Sequence, residues 1–235
     1  MNKISVIIRT YNEEKHLEDV LKGVKKQLYR NYEIILVDSE STDSTLKIAE
    51  KYGAKIIKIR KKDFNYSYAS NIGAEQANGD ILCYISGHSV PLKEDYFSNA
   101  IELFKDKKIG GVYGDVVALK DGSYVEKIFN FLGYLKNRSK KVVLESHIHP
   151  GILSCSNAFI RRRLWETHPF RIELGRGGED VGMAYEIIQD GYYIAKAPEL
   201  LVAHSHGSGL VKFMKEYKAW GKMFRDVKEY YKIED

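Results

Sequence analysis

Four short polar stretches carry side chains able to do chemistry, and each ends or interrupts an apolar run. Ser86-Gly87-His88-Ser89 stops the apolar residues 81–85 and is followed by Pro91. Asp38 closes the strand-like residues 33–37, apolar from Ile34 onward. Glu179-Asp180 follows the glycine-rich ELGRGG of residues 173–178 and opens a helical pattern. His204-Ser205-His206-Gly207 ends the largely apolar residues 192–203. In an open α/β sheet ligands bind outside the carboxyl ends of the strands, so His88 stands at the mouth of such a site, although most loop histidines do no chemistry. A carboxylate in the place of Asp38 can accept hydrogen bonds from a base or ribose, or merely cap the next turn; position alone leaves both open. A carboxylate such as Asp180 is ordinarily ionised at neutral pH and can take a proton as a general base. Its plainer role is that of a partner for the helix dipole.

These residues need a sheet whose strand ends converge. Residues 4–8, 33–37 and 55–59 read as buried strands, separated by helical spacings of apolar residues (Leu17, Val20, Leu21, Val24, Leu28, then a helix capped at Ser41 or Thr42 and closed by Gly53). Three such strand–helix units predict a parallel sheet with right-handed crossovers, a nucleotide-binding architecture in the first half. A helix over 65–77 follows, with Asn71, Gly73 and Ala74 small enough for close packing, then the strand 81–85, a helix to Phe104 and a strand over 110–117. Val125, Ile128, Phe129 and Leu132 make an apolar face beside Lys127, Lys136, Arg138, Lys140 and Lys141, read as a surface helix packed on the sheet or the wall of an acceptor pocket. Residues 151–160 read as a strand near the site, and Arg161, Arg162 and Arg163 as the start of a short helix, able to pair with phosphates or to stand solvated. Residues 192–203 read as two short strands around Pro198. Beyond Gly209, Leu210, Phe213, Tyr217, Trp220, Phe224, Val227 and Tyr231 recur at helical spacing among lysines: a packing seam onto the body or a second copy, or an anionic membrane surface.

The bulk composition narrows the classes. A chain of 235 residues with 44% hydrophobic and 29% charged content has enough apolar residues for a sizeable core. Its net charge of +5 suits an anionic ligand or membrane face, but the charges do not form a dense basic block with interleaved aromatics, so nucleic acid is not expected as a partner. Cys83 and Cys155 lie in apolar runs without CxxC spacing; reduced buried thiols and a cytoplasmic location, at the inner face of the membrane if docked, are the expectation. The ELGRGG stretch follows no strand with GxGxxG spacing, which removes a dinucleotide fingerprint and with it an NAD-dependent oxidoreductase.

Taken together, SVIIRTYNEE, VDSESTDST, SNIGAEQANGDILCYISGHSVP, CSNAFIRR and GGEDVGMAYEIIQDGY resemble, in order, the family 2 glycosyltransferases of the GT-A fold over about residues 4–206. The resemblance implies a GT-A type α/β fold, a mixed, mostly parallel sheet with a nucleotide-binding N-terminal half and helices on both faces. It divides the chain into a catalytic domain, residues 1–207, and a C-terminal basic amphipathic helix, residues 208–235. Thr10, Tyr11 and Glu13 would lie near base and ribose, Asp38 would bond the base, and Asp43 belongs to the same signature. Asn71 and Arg161 join the candidate nucleotide-sugar ligands. The family's Asp-x-Asp, which holds a divalent ion against the donor diphosphate, aligns with Ser86-Gly87-His88, and that departure resembles a subgroup associated with rhamnosyl transfer. Asp180 of the Glu179-Asp180 pair falls at the catalytic base, and His204 or His206 at a later metal ligand.

Sugar transfer from a nucleoside diphosphate needs a stabilised leaving diphosphate, a bound sugar and an acceptor hydroxyl relieved of its proton. With both carboxylates lost, imidazole ligands favour Mn²⁺ over Mg²⁺, and the expected site uses His88 with His204 or His206. The alternative is that Arg161 or Arg163 and helix dipoles supply the charge without a metal. The implied partners are a UDP, GDP or dTDP sugar and a sugar or lipid-linked acceptor. Inversion is expected, because no nucleophile for double displacement stands out. Transfer of one sugar per encounter is expected, because neither Gln-x-x-Arg-Trp nor a membrane-spanning run is present. The rivals are an inactive nucleotide-sugar-binding protein and a nucleotidyltransferase, the latter disfavoured because Arg9-Thr10-Tyr11-Asn12-Glu13 is not a glycine-rich phosphate loop.

Overall fold

The computed structural model describes residues 2–137 and 141–234; Arg138 and Lys140 of the basic run lie outside the described residues. The sheet is built outward from β1 (Ile4–Thr10), where Ile4, Val6, Ile7 and Ile8 are fully buried because both faces of the strand are covered. Strands β2 (Tyr32–Asp38) and β4 (Ile81–Ser86) flank β1 in parallel, and β3 (Lys55–Lys58) extends the parallel half beyond β2. On the other side β8 (Asn157–Arg161) runs antiparallel between β4 and β6 (Ile109–Val117), and β9 (Tyr193–Ala203) runs parallel to β6. Short strands β5 (Val90–Pro91) and β7 (Val143–Glu145) both pair antiparallel with β9. Among the described residues the sheet has nine strands, in the order β3-β2-β1-β4-β8-β6-β9-β5 with β7 beside β9.

Helices cover both faces, as expected. On one face Leu17, Val20, Leu21 and Val24 of α1 (Leu17–Lys25), Ala49 of α2 (Thr45–Lys51) and Tyr96, Phe97 and Ala100 of α4 (Tyr96–Leu103) pack on Val6, Ile8 and Leu36. On the other face Ala69 and Ala74 of α3 (Tyr66–Glu75), Leu164 and Trp165 of α6 (Arg162–Thr167), and Val181, Met183, Ala184 and Ile187 of α7 (Glu179–Gln189) pack on Ile7, Val37 and Tyr84. Asn65 caps α3 by accepting the Tyr68 N–H at 3.1 Å. Gly73 lets that helix lie close to the sheet: a Cβ there would sit 2.5 Å from Ile7 Cγ2 and 3.2 Å from Val37 Cγ2.

Several boundaries differ from the expectation. The expected two strands over 192–203 are one strand, β9 from Tyr193; Pro198, which has no N–H to donate, falls within the break in the β6–β9 ladder between Gly114↔Ala197 and Val116↔Val202. The strand expected over 151–160 begins only at Asn157, so Cys155 lies in the preceding turn; it is buried and free, as is Cys83. The apolar stripe of α8 (Leu210–Tyr231) divides. Its second half packs on α7, with Val227 buried and the Tyr231 hydroxyl donating to Glu186 at 2.8 Å, whereas Leu210, Tyr217 and Trp220 stand exposed. The insert helix α5 (Tyr124–Asn137) likewise leaves Ile128, Phe129 and Leu132 exposed.

Gly73→Ala should destabilise the fold by about 1–3 kcal/mol, because the β-branched Ile7 cannot yield without moving α3 off the sheet. Denaturant titration checks this; an unchanged midpoint would show that α3 has room to spare.

Candidate active site

The histidines meet because β5 folds back onto β9. Ser86 ends β4, Gly87 and His88 follow, and Val90 pairs with Ala203, one residue before His204. The His204 N–H donates to the Val117 carbonyl at 2.8 Å and the His206 N–H to Glu126 at 2.8 Å, which fixes the loop after β9. The ring centroids are 4.7 Å apart for His88 and His204, 5.4 Å for His88 and His206, and 4.7 Å for His204 and His206. One nitrogen from each ring lies within 4.8 Å of the others. His88 Nδ1 is 2.8 Å from Glu13 Oε1, and its Nε2 is buried without a partner. Gly87 makes room for that contact, since a Cβ there would lie 2.6 Å from Glu13 Cγ. Burial and then the neighbouring His88 push His204 and His206 below the usual histidine range, so both rings are neutral donors at neutral pH.

The second assembly centres on Arg9, which the sequence reading passed over as the end of a strand. Its guanidinium is 3.2 Å from Glu179 Oε1 and 3.2 Å from Ser70 Oγ, and lies 5.1 Å from the centre of the Tyr66 ring. The two charged side chains are only 13% and 6% exposed. Burial alone would lower Arg9, but Glu179 outweighs it and holds the guanidinium above its ordinary value. Asp180 follows directly at the first turn of α7. Burial, reinforced by the Glu179 charge, pushes its carboxyl up to about 7, against the Val181 N–H, Arg9 and the Cys155 backbone. Gly177 and Gly178, at φ of 120° and 99°, take left-handed conformations that deliver this helix start.

A cavity of about 380 Å³ joins the two assemblies, lined by Arg9, Thr10, Tyr11, Glu13, Ser39, Lys61, Phe64, Tyr66, Ser86 and His88. The expected Thr10, Tyr11, Glu13, Ser86 and His88 therefore share one hollow, and Arg9, Ser39, Lys61, Phe64 and Tyr66 are additions. Lys61 donates to the Tyr11 hydroxyl at 2.6 Å and sits 4.2 Å from the centre of its ring. Such a hollow combines cations for an anion with aromatic rings for a planar base. Asp38 is fully buried behind it: Oδ1 accepts from Thr10 Oγ1 at 3.0 Å and Oδ2 from the Ser41 N–H at 2.9 Å, a turn-capping arrangement. Asp43 caps α2 through the Thr45 N–H at 2.9 Å and accepts from the Glu14 N–H at 3.0 Å.

Two expected ligands are elsewhere. Arg161 pairs with Ile81 at the start of β4, because β8 runs antiparallel, and this puts it at the opposite end of the strands from Ser86. Its guanidinium donates to the carbonyls of Ile109, Phe104 and Asp106 at 2.7–2.8 Å, so it is a structural clamp, not a phosphate ligand. Arg163 lies beyond it and donates to the Tyr192 hydroxyl at 3.0 Å. Asn71 is consumed in packing: it accepts from Trp165 Nε1 at 2.8 Å and donates to the Phe170 carbonyl at 2.9 Å.

A half-parallel sheet with a cationic, aromatic cavity at its strand ends and an acidic helix start beside it has the GT-A architecture. The sequence model described as Glycosyl transferase family 2 matches residues 5–168, and the chain belongs to that family. It is 30% identical over 209 residues to the O-antigen chain rhamnosyltransferase RfbN of Salmonella typhimurium, covering 87% of this chain and 67% of that protein. Among solved structures it resembles Staphylococcus aureus TarS 1-349 in complex with UDP-GlcNAc, with a TM-score of 0.68 at 18% identity over 88% of this chain and 59% of that one. It also resembles the mannosyltransferase PcManGT from Pyrobaculum calidifontis in complex with GDP-Man and Mn2+, with a TM-score of 0.64 at 20% identity over 87% of this chain and 57% of that one. The chain thus spans less than two thirds of these solved chains.

Glu179→Gln should lower the Asp180 pKa, since it removes the neighbouring negative charge and leaves Arg9 free to favour the carboxylate. Direct titration by carboxyl NMR is expected to show the Asp180 midpoint moving from about 7 toward the ordinary carboxylate range. A midpoint left in place would mean that burial alone sets it.

Proposed function

We propose that the chain is an inverting, non-processive glycosyltransferase that moves a hexosyl or deoxyhexosyl group from a nucleoside diphosphate sugar to a sugar or lipid-linked acceptor hydroxyl, in polysaccharide or glycoconjugate synthesis. One observation carries the proposal: Arg9 lines the same cavity as Ser86 and His88 and is bonded to Glu179, the residue beside Asp180. His88 of the histidine cluster and Arg9, the ion-pair partner of the residue beside the candidate base, therefore line one hollow. Tyr11, Phe64 and Tyr66 offer faces to the base, Thr10 and Ser39 offer polar groups to the ribose, and Arg9 and Lys61 offer charge to the donor's anionic end. Asp38 acts behind them by fixing Thr10 and Ser41.

Asp180 is the base that removes the acceptor proton as the hydroxyl attacks the anomeric carbon. Its carboxyl near 7 matches that task at neutral pH. Single displacement inverts the anomeric centre. Cys155, the nearby thiol, is pushed well above the usual thiol range by burial and is no nucleophile there. The relatives support the donor class, and the Salmonella rhamnosyltransferase supports a deoxyhexose such as rhamnose.

The fold family implies a divalent ion, and the residues fit one: three imidazole nitrogens within 4.8 Å, two held neutral, and an orphaned buried His88 Nε2 whose ring is oriented by Glu13. His88, His204 and His206 would hold it. Three nitrogen donors suit Mn²⁺ better than Mg²⁺. When bound, such an ion supplies positive charge to the leaving diphosphate.

Asp180→Asn should reduce transfer by about 10²–10⁴-fold while nucleoside diphosphate binding, read by thermal shift, is kept. Binding without any turnover by the parent chain would instead favour an inactive nucleotide-sugar-binding protein. Strong chelation should abolish transfer and Mn²⁺ should restore it in the parent but not in His88→Ala. Full activity in chelator would remove the metal from the account.

A further inference from the structure

We propose that α5 and the first half of α8 together form a docking face for an anionic lipid bilayer. More than half of the large apolar side chains that stand exposed among the described residues are on these two helices. On α5, Ile128, Phe131 and Leu132 are 62%, 56% and 60% exposed; on α8, Leu210, Met214 and Tyr217 are 58%, 54% and 60% exposed. Spacings of three and four put each set on one side of its helix. The Phe129 and Phe213 rings, 5.2 Å apart, hold the two helices side by side. An open, largely apolar hollow of about 410 Å³, lined by Val117, Ala118, Lys127, Ile128 and Phe131, continues this face.

The charges select the occupant. Lys215, Lys218 and Lys222, all exposed, recur at three and four residues along one flank of the α8 row, and Lys127 stands at the hollow. Lysine is depleted from protein interfaces, whereas an apolar face edged by lysines and carrying Trp220 and Tyr217 suits an anionic headgroup layer. The face is also tied to the histidine loop: Glu126, at the start of α5, accepts from the His206 and Ser123 N–H groups at 2.8 and 2.9 Å. Docking therefore brings that loop close to the bilayer.

Sedimentation of the full chain with vesicles tests this, comparing phosphatidylcholine alone with phosphatidylcholine containing about one third phosphatidylglycerol. Of the chain's two tryptophans Trp165 is buried and Trp220 exposed, so fluorescence reports on the face. The expected result is binding to the anionic vesicles with a blue shift, weakened by salt and by neutral lipid. Met214→Glu with Tyr217→Glu should lose at least about tenfold in partition, and Lys215→Glu with Lys218→Glu a comparable amount, each with an unchanged unfolding midpoint. No partition of the parent chain, or partition of both variants equal to that of the parent, would overturn the proposal. So would a parent dimer in lipid-free light scattering that both variants convert to monomer, since the face would then belong to a second copy.

Discussion

The arrangement depends on one buried ion pair. Arg9 ends the central strand and Glu179 begins α7, 170 residues later, and the two are held at 3.2 Å with little solvent around either. Burying two charges is costly, and deleting one partner typically costs about 3–5 kcal/mol because the other is left uncompensated. The pair is therefore tolerated only where both chains are fixed, and it fixes them in turn. It pins the start of α7 to the rim of the sheet, which sets where Asp180 stands. Gly178 makes the approach possible from the other side, where a Cβ would lie 2.8 Å from Val227 of α8. Local backbone freedom, an ion pair and a C-terminal helix thus converge on one carboxyl group.

The histidine cluster follows a different logic, set by strand pairing. A strand of two residues, Val90–Pro91, aligns the turn after β4 with the end of β9. His88 and the pair His204 and His206, more than a hundred residues further along the chain, thereby become neighbours. Burial keeps the rings of His204 and His206 from charging, and so keeps these two neighbours from repelling each other. Glu13 orients His88 from the loop after β1, so the loop that borders the cavity also sets the cluster.

Much of this was legible in the residues. Apolar runs ending at Asp38, Ser86 and Ala203 marked the strand ends, and the glycine-delivered acidic pair marked the start of α7, because burial and backbone freedom leave local signatures. Long-range direction does not. Arg161 read as a phosphate ligand because nothing local reveals that β8 runs antiparallel and carries it to the far end of the strands. Asn71 read as a ligand because its partners, Trp165 and Phe170, lie more than ninety residues away. Arg9 was missed for the same reason: its partner is Glu179, and only a charged side chain at the end of a fully buried strand hinted at it. Pro198 suggested a strand break where the ladder instead absorbs the proline in an irregular stretch. The α8 stripe read as one seam, but its second half packs on α7 while Leu210, Tyr217 and Trp220 of its first half stand exposed.

The most direct measurement is a crystal structure of the chain grown with Mn²⁺ and a nucleoside diphosphate. The account predicts anomalous density among His88, His204 and His206, with the diphosphate in the cavity bordered by Arg9 and Ser86 and the Asp180 carboxyl opening onto the same space. A nucleotide seated away from Arg9, or an ion held by other residues while the three histidines keep their present contacts, would contradict it.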